Sequence, residues 1–147
     1  SKLVEKHWAL VCKALDVNKT KDTEVHWRPI KGTAKATYCA VKNLICMDSR
    51  KFDSTKDMIE SLGHELTHHR QYVRGELDQE WNNKVRRWMS VWKGRYYKPA
   101  TTFNAYYNRP WEEEARTGGI KARGAYVSMI AEVWHKNKKA LDLTQKP

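Results

Sequence analysis

Residues His64-Glu65-Leu66-Thr67-His68-His69 place three imidazoles and one carboxylate within six positions. On a helix, the i, i+4 spacing stacks His64 and His68 one turn apart on the same face. Two imidazole nitrogens then grip one ion, and zinc suits such donors. Glu65, one position on, stands beside that ion rather than among its ligands. There it takes a proton from a water held at the metal, the role of the glutamate in an H-E-x-x-H helix. His69 is turned about 100° from His68 and reads as a hydrogen-bonded or surface residue, not a ligand.

Two histidines are half a site. A catalytic zinc takes three protein ligands and keeps one position open. The acidic run "RPWEEEAR", Arg109 to Arg116, is the nearest downstream source of a carboxylate. Trp111 and Ala115 give it one apolar side. With Ala115 set against the metal helix, Glu112, one turn earlier, points at the metal. Glu113 and Glu114 are rotated away in steps of about 100°, which makes Glu113 the first alternative ligand and Glu114 the second. Peptide-bond hydrolysis also needs a donor to the developing oxyanion. Tyr106 and Tyr107 are the leading candidates, ahead of Tyr97, His69 and Arg70. His26 beside Trp27 and His135 beside Trp134 read as structural or surface residues.

The elements that must position these groups follow from periodicity. Residues Leu3 to Leu15 repeat apolar groups with helical spacing. "TEVHWRPI" alternates as a strand, and "ATYCAVKNLICMD" reads as two strands turning at Lys42-Asn43. Asp53, Ser54 or Thr55 caps a helix from about Lys56 to Arg74, with Met58, Ile59, Leu62, Leu66 and Val73 as its stripe and Gly75 as its stop. Trp81, Val85, Trp88, Met89 and Trp92 fit a second helix near Asp78 to Trp92, with the tryptophans in core or interface packing. Residues 95–107 read as extended or loop. "NRPWEEEAR" starts a helix, with Pro110 in its first turn. Gly118-Gly119 kinks or breaks it, and a further helix, Ile120 to about Lys136, packs through Val127, Ile130 and Trp134. Residues 1–147 thus read as one domain of α+β class: an N-terminal helix, a small antiparallel sheet, the H-E-x-x-H helix and C-terminal helices.

Composition narrows the function classes. Hydrophobic residues make up 40% of the 147, which excludes wholesale disorder. No apolar run reaches the length of a membrane span, and no secretory pattern follows Ser1. Three cysteines, Cys12, Cys39 and Cys46, cannot all pair within the chain, which points to a reducing, cytoplasmic compartment. A turn at Lys42-Asn43 would set Cys39 opposite Cys46, but cross-strand disulfides are strained and none is expected. The 28 basic against 17 acidic residues give a net charge of +11, attractive to nucleic acid as well as to acidic proteins.

A strand hairpin followed by "HELTHH" and then "RPWEEEA" resembles the small gluzincin-type zinc metallopeptidases. Among these it is similar to the compact ImmA/IrrE-like and related phage and bacterial peptidase domains. The resemblance spans roughly Ala36 to Ala115 and rests on two short motifs. It implies a zincin-like fold, one zinc ion per chain, a protein or peptide substrate and a bacterial host cell. It makes His64, His68 and Glu112 the ligands and Glu65 the general base. It also implies that the strand Leu44 to Asp48 lines the cleft and pairs with an extended substrate. One position departs. Many such proteins carry Asp or Asn four residues after the ligand glutamate to hold a histidine, and here that residue is Arg116. Asp48, Asp57 or a backbone carbonyl is then the expected substitute. Two other readings are an SprT-like DNA-associated protease and a basic nucleic-acid-binding module with a non-catalytic zinc site. The first expects a third histidine ligand downstream, for which the sequence offers only His135, and it lacks the paired cysteines of a zinc ribbon.

Overall fold

The H-E-x-x-H segment lies on helix α2, Thr55–Val73, and the rest of the chain is arranged around it. In the computed structural model, residues 2–17 and 23–144 are described. Ser54 caps α2 by accepting from the Asp57 N–H. At the other end Gly75, at φ 68°, closes the helix, with Gly75 N–H donating to Tyr72 O and Glu76 N–H to Gln71 O. That pair of bonds is a Schellman stop, and it favours glycine.

Met58, Ile59, Leu62 and Leu66 of α2 are buried. They meet Trp8, Val11 and Leu15 of α1, Lys2–Leu15, and Ile45 and Met47 of the first sheet. Full burial of an Ile or Leu contributes roughly 1.5–3 kcal/mol, so this stripe fixes the rotation of α2 about its axis. The opposite side of the helix carries His64 and His68. Val73, assigned to the stripe by spacing, is 62% exposed because it sits in the last turn, beyond the end of the core.

The first sheet has β1, Glu24–Trp27, β2, Ala36–Cys39, and β3, Leu44–Met47, in the order β1-β3-β2. It is mixed rather than antiparallel: β1 runs parallel to β3 and β2 antiparallel. The hairpin between β2 and β3 forms as expected, but its connection is Ala40 to Asn43, two residues longer. Register therefore sets Cys39 opposite Leu44 and Thr37 opposite Cys46, and among the described residues no disulfide joins Cys12, Cys39 or Cys46. Asp48 follows β3. It is buried, accepts from Ile30 N–H and is gripped by Arg50, whose guanidinium holds its carboxyl well below the usual range.

The expected helix from Asp78 to Trp92 is instead a β-hairpin. Strands β4, Leu77–Asn82, and β5, Arg87–Trp92, pair antiparallel, and β6, Arg95–Tyr97, adds to β5. The two-residue turn between β5 and β6 is Lys93-Gly94, both at positive φ, 47° and 82°. Leu77 and Trp92 bury against Trp111, with Tyr72 and Tyr97 around them, as a second small core. Trp81 and Trp88 are not core: they are 50% and 60% exposed.

A short helix α3, Phe103–Tyr107, capped by Thr102, stands where extended chain was expected. Helix α4 then runs unbroken from Pro110 to Thr144. Gly118 and Gly119 do not kink it; they are the point where α4 crosses α2. A Cβ on Gly119 would lie 2.7 Å from Glu60 O, and one on Gly63 of α2 would lie 2.5 Å from Ala122 Cβ. A Cβ on Gly118 would land on Thr67 Oγ1. Beyond the crossing α4 leaves the core, so Val127, Ile130 and Trp134 are 43%, 46% and 57% exposed rather than packed. The architecture is α+β. Among the described residues no helix is long and apolar enough to cross a membrane.

Candidate metal centre

The α2–α4 crossing brings one acidic residue of α4 to the histidine face of α2. Glu112 Oε2 lies 3.2 Å from His64 Nε2, and Glu112 Oε1 lies 3.2 Å from His68 Nε2. One ligating atom from each of the three residues falls within 4.8 Å of the others. Glu112 is buried. Burial works against its carboxylate, but the two histidines outweigh it and hold the group well below its ordinary value. Burial likewise pushes His68 down, and the contact with Glu112 overcomes this, so His68 is raised on balance.

The other two glutamates of the run turn elsewhere. Glu113 is exposed. Glu114 accepts from Arg70 and from Gln71, each at 3.2 Å. Ala115, which the sequence set against α2, is fully buried. Arg70, an oxyanion candidate by sequence, is occupied there and at Leu15 O. His69 is buried on the core side, with its Nδ1 3.1 Å from Tyr38 Oη. His135 is exposed, and at 1.5 Å per residue it stands roughly 35 Å along α4 from Glu112.

The group that orients His68 is Gln71, one turn further along α2. Its amide Nε2–H donates to Trp111 O at 3.0 Å and to Glu114, so its Oε1 faces His68 Nδ1 at 2.9 Å. Gln71 Oε1 thus holds a proton on His68 Nδ1 and leaves Nε2, which faces Glu112 and His64, as the nitrogen that can ligate a metal. The substitutes expected for the missing Asp or Asn do not serve here. Asp48 is held by Arg50, and Asp57 pairs with Lys35 at 2.8 Å. Arg116 instead stacks on Tyr107, 3.5 Å from the ring centre. Gln71 was legible in principle, as an amide three residues after the second histidine on the same face. Replacing Gln71 with Leu should weaken zinc binding roughly 10–100-fold, read by competition against a chromogenic chelator. Unchanged affinity would remove Gln71 from the site.

Glu65 is buried beside the histidines. Burial lifts its carboxyl above the ordinary value, against the pull of His68 and His64. Two clefts meet at Glu65 and Ala36. One, of about 380 Å³, is lined by His68, Glu112, Tyr106, Tyr38, Gln79 and Ser90, among others. The second, of about 780 Å³, is lined by His64, Lys35, Tyr107 and Arg116, among others. Burial pushes the Tyr106 hydroxyl well above its ordinary value, and the neighbouring Glu112 carboxylate adds to this. Tyr106 lines the smaller cleft together with His68 and Glu112, whereas the Tyr107 ring lies under Arg116. Tyr97 packs on Trp111 and under Arg109.

The strand that borders the cleft is β2, not the segment from Leu44 to Asp48. β3 is hydrogen-bonded on both sides, to β1 and β2, so it has no edge to offer. β2 is the edge strand. Asp48 N–H donates to Lys35 O, which fixes the alternation. Thr37 and Cys39 bond to β3, and the backbone groups of Ala36 and Tyr38 point outward. Ala36, Thr37 and Tyr38 line the smaller cleft.

No family model, curated protein or solved structure matches this chain.

Proposed function

We propose that this chain is a zinc-dependent metallopeptidase of zincin-like fold. The convergence of His64, His68 and Glu112, with a buried Glu65 beside them, is the observation that carries this reading. The donor set fits zinc: two imidazole nitrogens, one of them with its tautomer fixed by Gln71, and one ionised carboxylate. Glutamate as the downstream partner favours the gluzincin type over an SprT-like site, which calls for a third histidine.

When bound, zinc would supply the Lewis acidity that polarises the scissile carbonyl and acidifies a water. The protein residues do the rest. Ala36 and Tyr38 hold an extended peptide by backbone hydrogen bonds along the free edge of β2, as an added strand. With clefts on both sides of Glu65, the chain has room for residues before and after the scissile bond. Glu65 takes the proton of the attacking water and passes it to the leaving amine. Tyr106 is placed to donate to the oxyanion.

Metal analysis should find about one zinc per chain, and casein hydrolysis should stop on chelation and return with added zinc. Glu112→Ala should cost more zinc affinity than the roughly 10–100-fold typical of an outer hydrogen-bond partner, while Glu113→Ala retains the metal. Hydrolysis that persists after complete metal removal would sink the reading.

A further inference from the structure

The outer half of the β4–β5 hairpin is not used by the metal centre. Asn82 Oδ1 accepts from Lys84 N–H at 2.9 Å and Val85 N–H at 3.2 Å, closing the loop. The loop and the first residue of β5 carry Lys84, Arg86 and Arg87, all exposed, with no acidic residue between Asn82 and Arg87. Lys35, Arg50, Arg70, Arg74 and Arg123 each pair with a carboxylate, but among the described residues these three cations do not. Directly inward lies the cross-strand pair Trp81 and Trp88, ring centres 5.8 Å apart, both at least half exposed.

We propose that this hairpin tip is a binding site for single-stranded nucleic acid, with Trp81 and Trp88 stacking bases and Lys84, Arg86 and Arg87 contacting phosphates. Unpaired cations beside exposed aromatic planes are the two components such sites combine. A duplex hides its base faces and leaves the indoles without partners. A membrane-inserting tip needs an apolar apex, and this one has Val85 alone among Asn83, Lys84 and Arg86. A second copy would set like charges against each other, in a chain of net charge +11. Gln79 and Ser90, the next pair inward on the same face, line the smaller cleft. A strand held on the tryptophans therefore begins about 7 Å from that cleft.

Fluorescence anisotropy of a labelled oligo-dT, titrated with the full chain over a salt series, tests this without reference to zinc or hydrolysis. Wild-type affinity should fall steeply as salt rises. The triple variant Lys84→Gln, Arg86→Asn, Arg87→Gln should flatten the slope of log K against log salt by about 2. Asn tolerates the positive φ of Arg86, 51°, so the turn survives. The double variant Trp81→Leu, Trp88→Leu should lose about tenfold or more in affinity at an unchanged slope. Equal binding of duplex, variants that bind oligo-dT like wild type, or preferential binding of phosphatidylglycerol vesicles over oligo-dT in a parallel co-sedimentation assay would each overturn the proposal.

Discussion

Glu65→Gln should keep its zinc and lose hydrolysis by roughly 10²–10⁴-fold, the range a positioned general base contributes. Glutamine matches the size of glutamate and can still hydrogen-bond, but it cannot carry a proton. The atoms that His64, His68 and Glu112 offer to a metal do not involve Glu65, so metal content should be that of the wild type. The position is suited to the task. Glu65 is buried at the junction of both clefts, and burial raises its carboxyl above the ordinary value. The readings to take are zinc per chain and initial rates on casein from the same preparation. Full activity with bound zinc would eliminate Glu65 as the base. Loss of both metal and activity would show instead that Glu65 shapes the site. Tyr106→Phe gives a parallel case, because the proposed oxyanion donor would act on the rate and leave binding of metal intact.

The helix that carries the histidines was readable because its signals agree. A serine cap, an apolar stripe at 58, 59, 62 and 66, and a glycine stop all mark the same 19 residues. The geometry that turns Glu112 inward was readable for the same reason, since Ala115 shares its face. The β4–β5 hairpin was not, because its aromatics satisfy two periods at once. Positions 81, 85, 88 and 92 fit a helix, while 77, 79 and 81 against 88, 90 and 92 fit one face of a hairpin. The Asn82-Asn83 pair and Lys93-Gly94 are turn signals that decide for strands. The cleft edge was misassigned for a topological reason. β1 runs parallel to β3 and occupies its far side, and no local pattern announces a parallel partner. Gly118-Gly119 reads as a break when helix propensity is considered alone. In the folded chain the absence of two side chains is what allows the helices to meet.

That crossing makes Gly118→Ala an expected severe variant. A Cβ at Gly118 collides with Thr67 Oγ1, which cannot swing freely because it donates to Gly63 O at 2.8 Å. Relief requires α4 to move off α2, and Glu112 lies on α4 less than two turns before the collision. Overpacking of this kind costs about 1–3 kcal/mol, and the displacement should weaken zinc binding as well. Thr67→Ala removes the hydroxyl and leaves Thr67 Cβ at 3.1 Å from the added methyl, a tight but tolerable contact. The double variant Gly118→Ala, Thr67→Ala should therefore recover most of the lost stability and zinc affinity. The two changes should then be non-additive by about 1 kcal/mol or more, as for residues in direct contact. Melting temperature in chelator separates the fold from the metal, and zinc affinity reports the position of Glu112. A Gly118→Ala chain that melts and binds zinc like the wild type would mean that this close approach does not set the site. A loss that Thr67→Ala fails to repair would point to another neighbour, since alanine favours helix over glycine by about 1 kcal/mol. The sign is therefore informative: propensity alone makes Gly118→Ala stabilising, and only the contact with Thr67 makes it harmful.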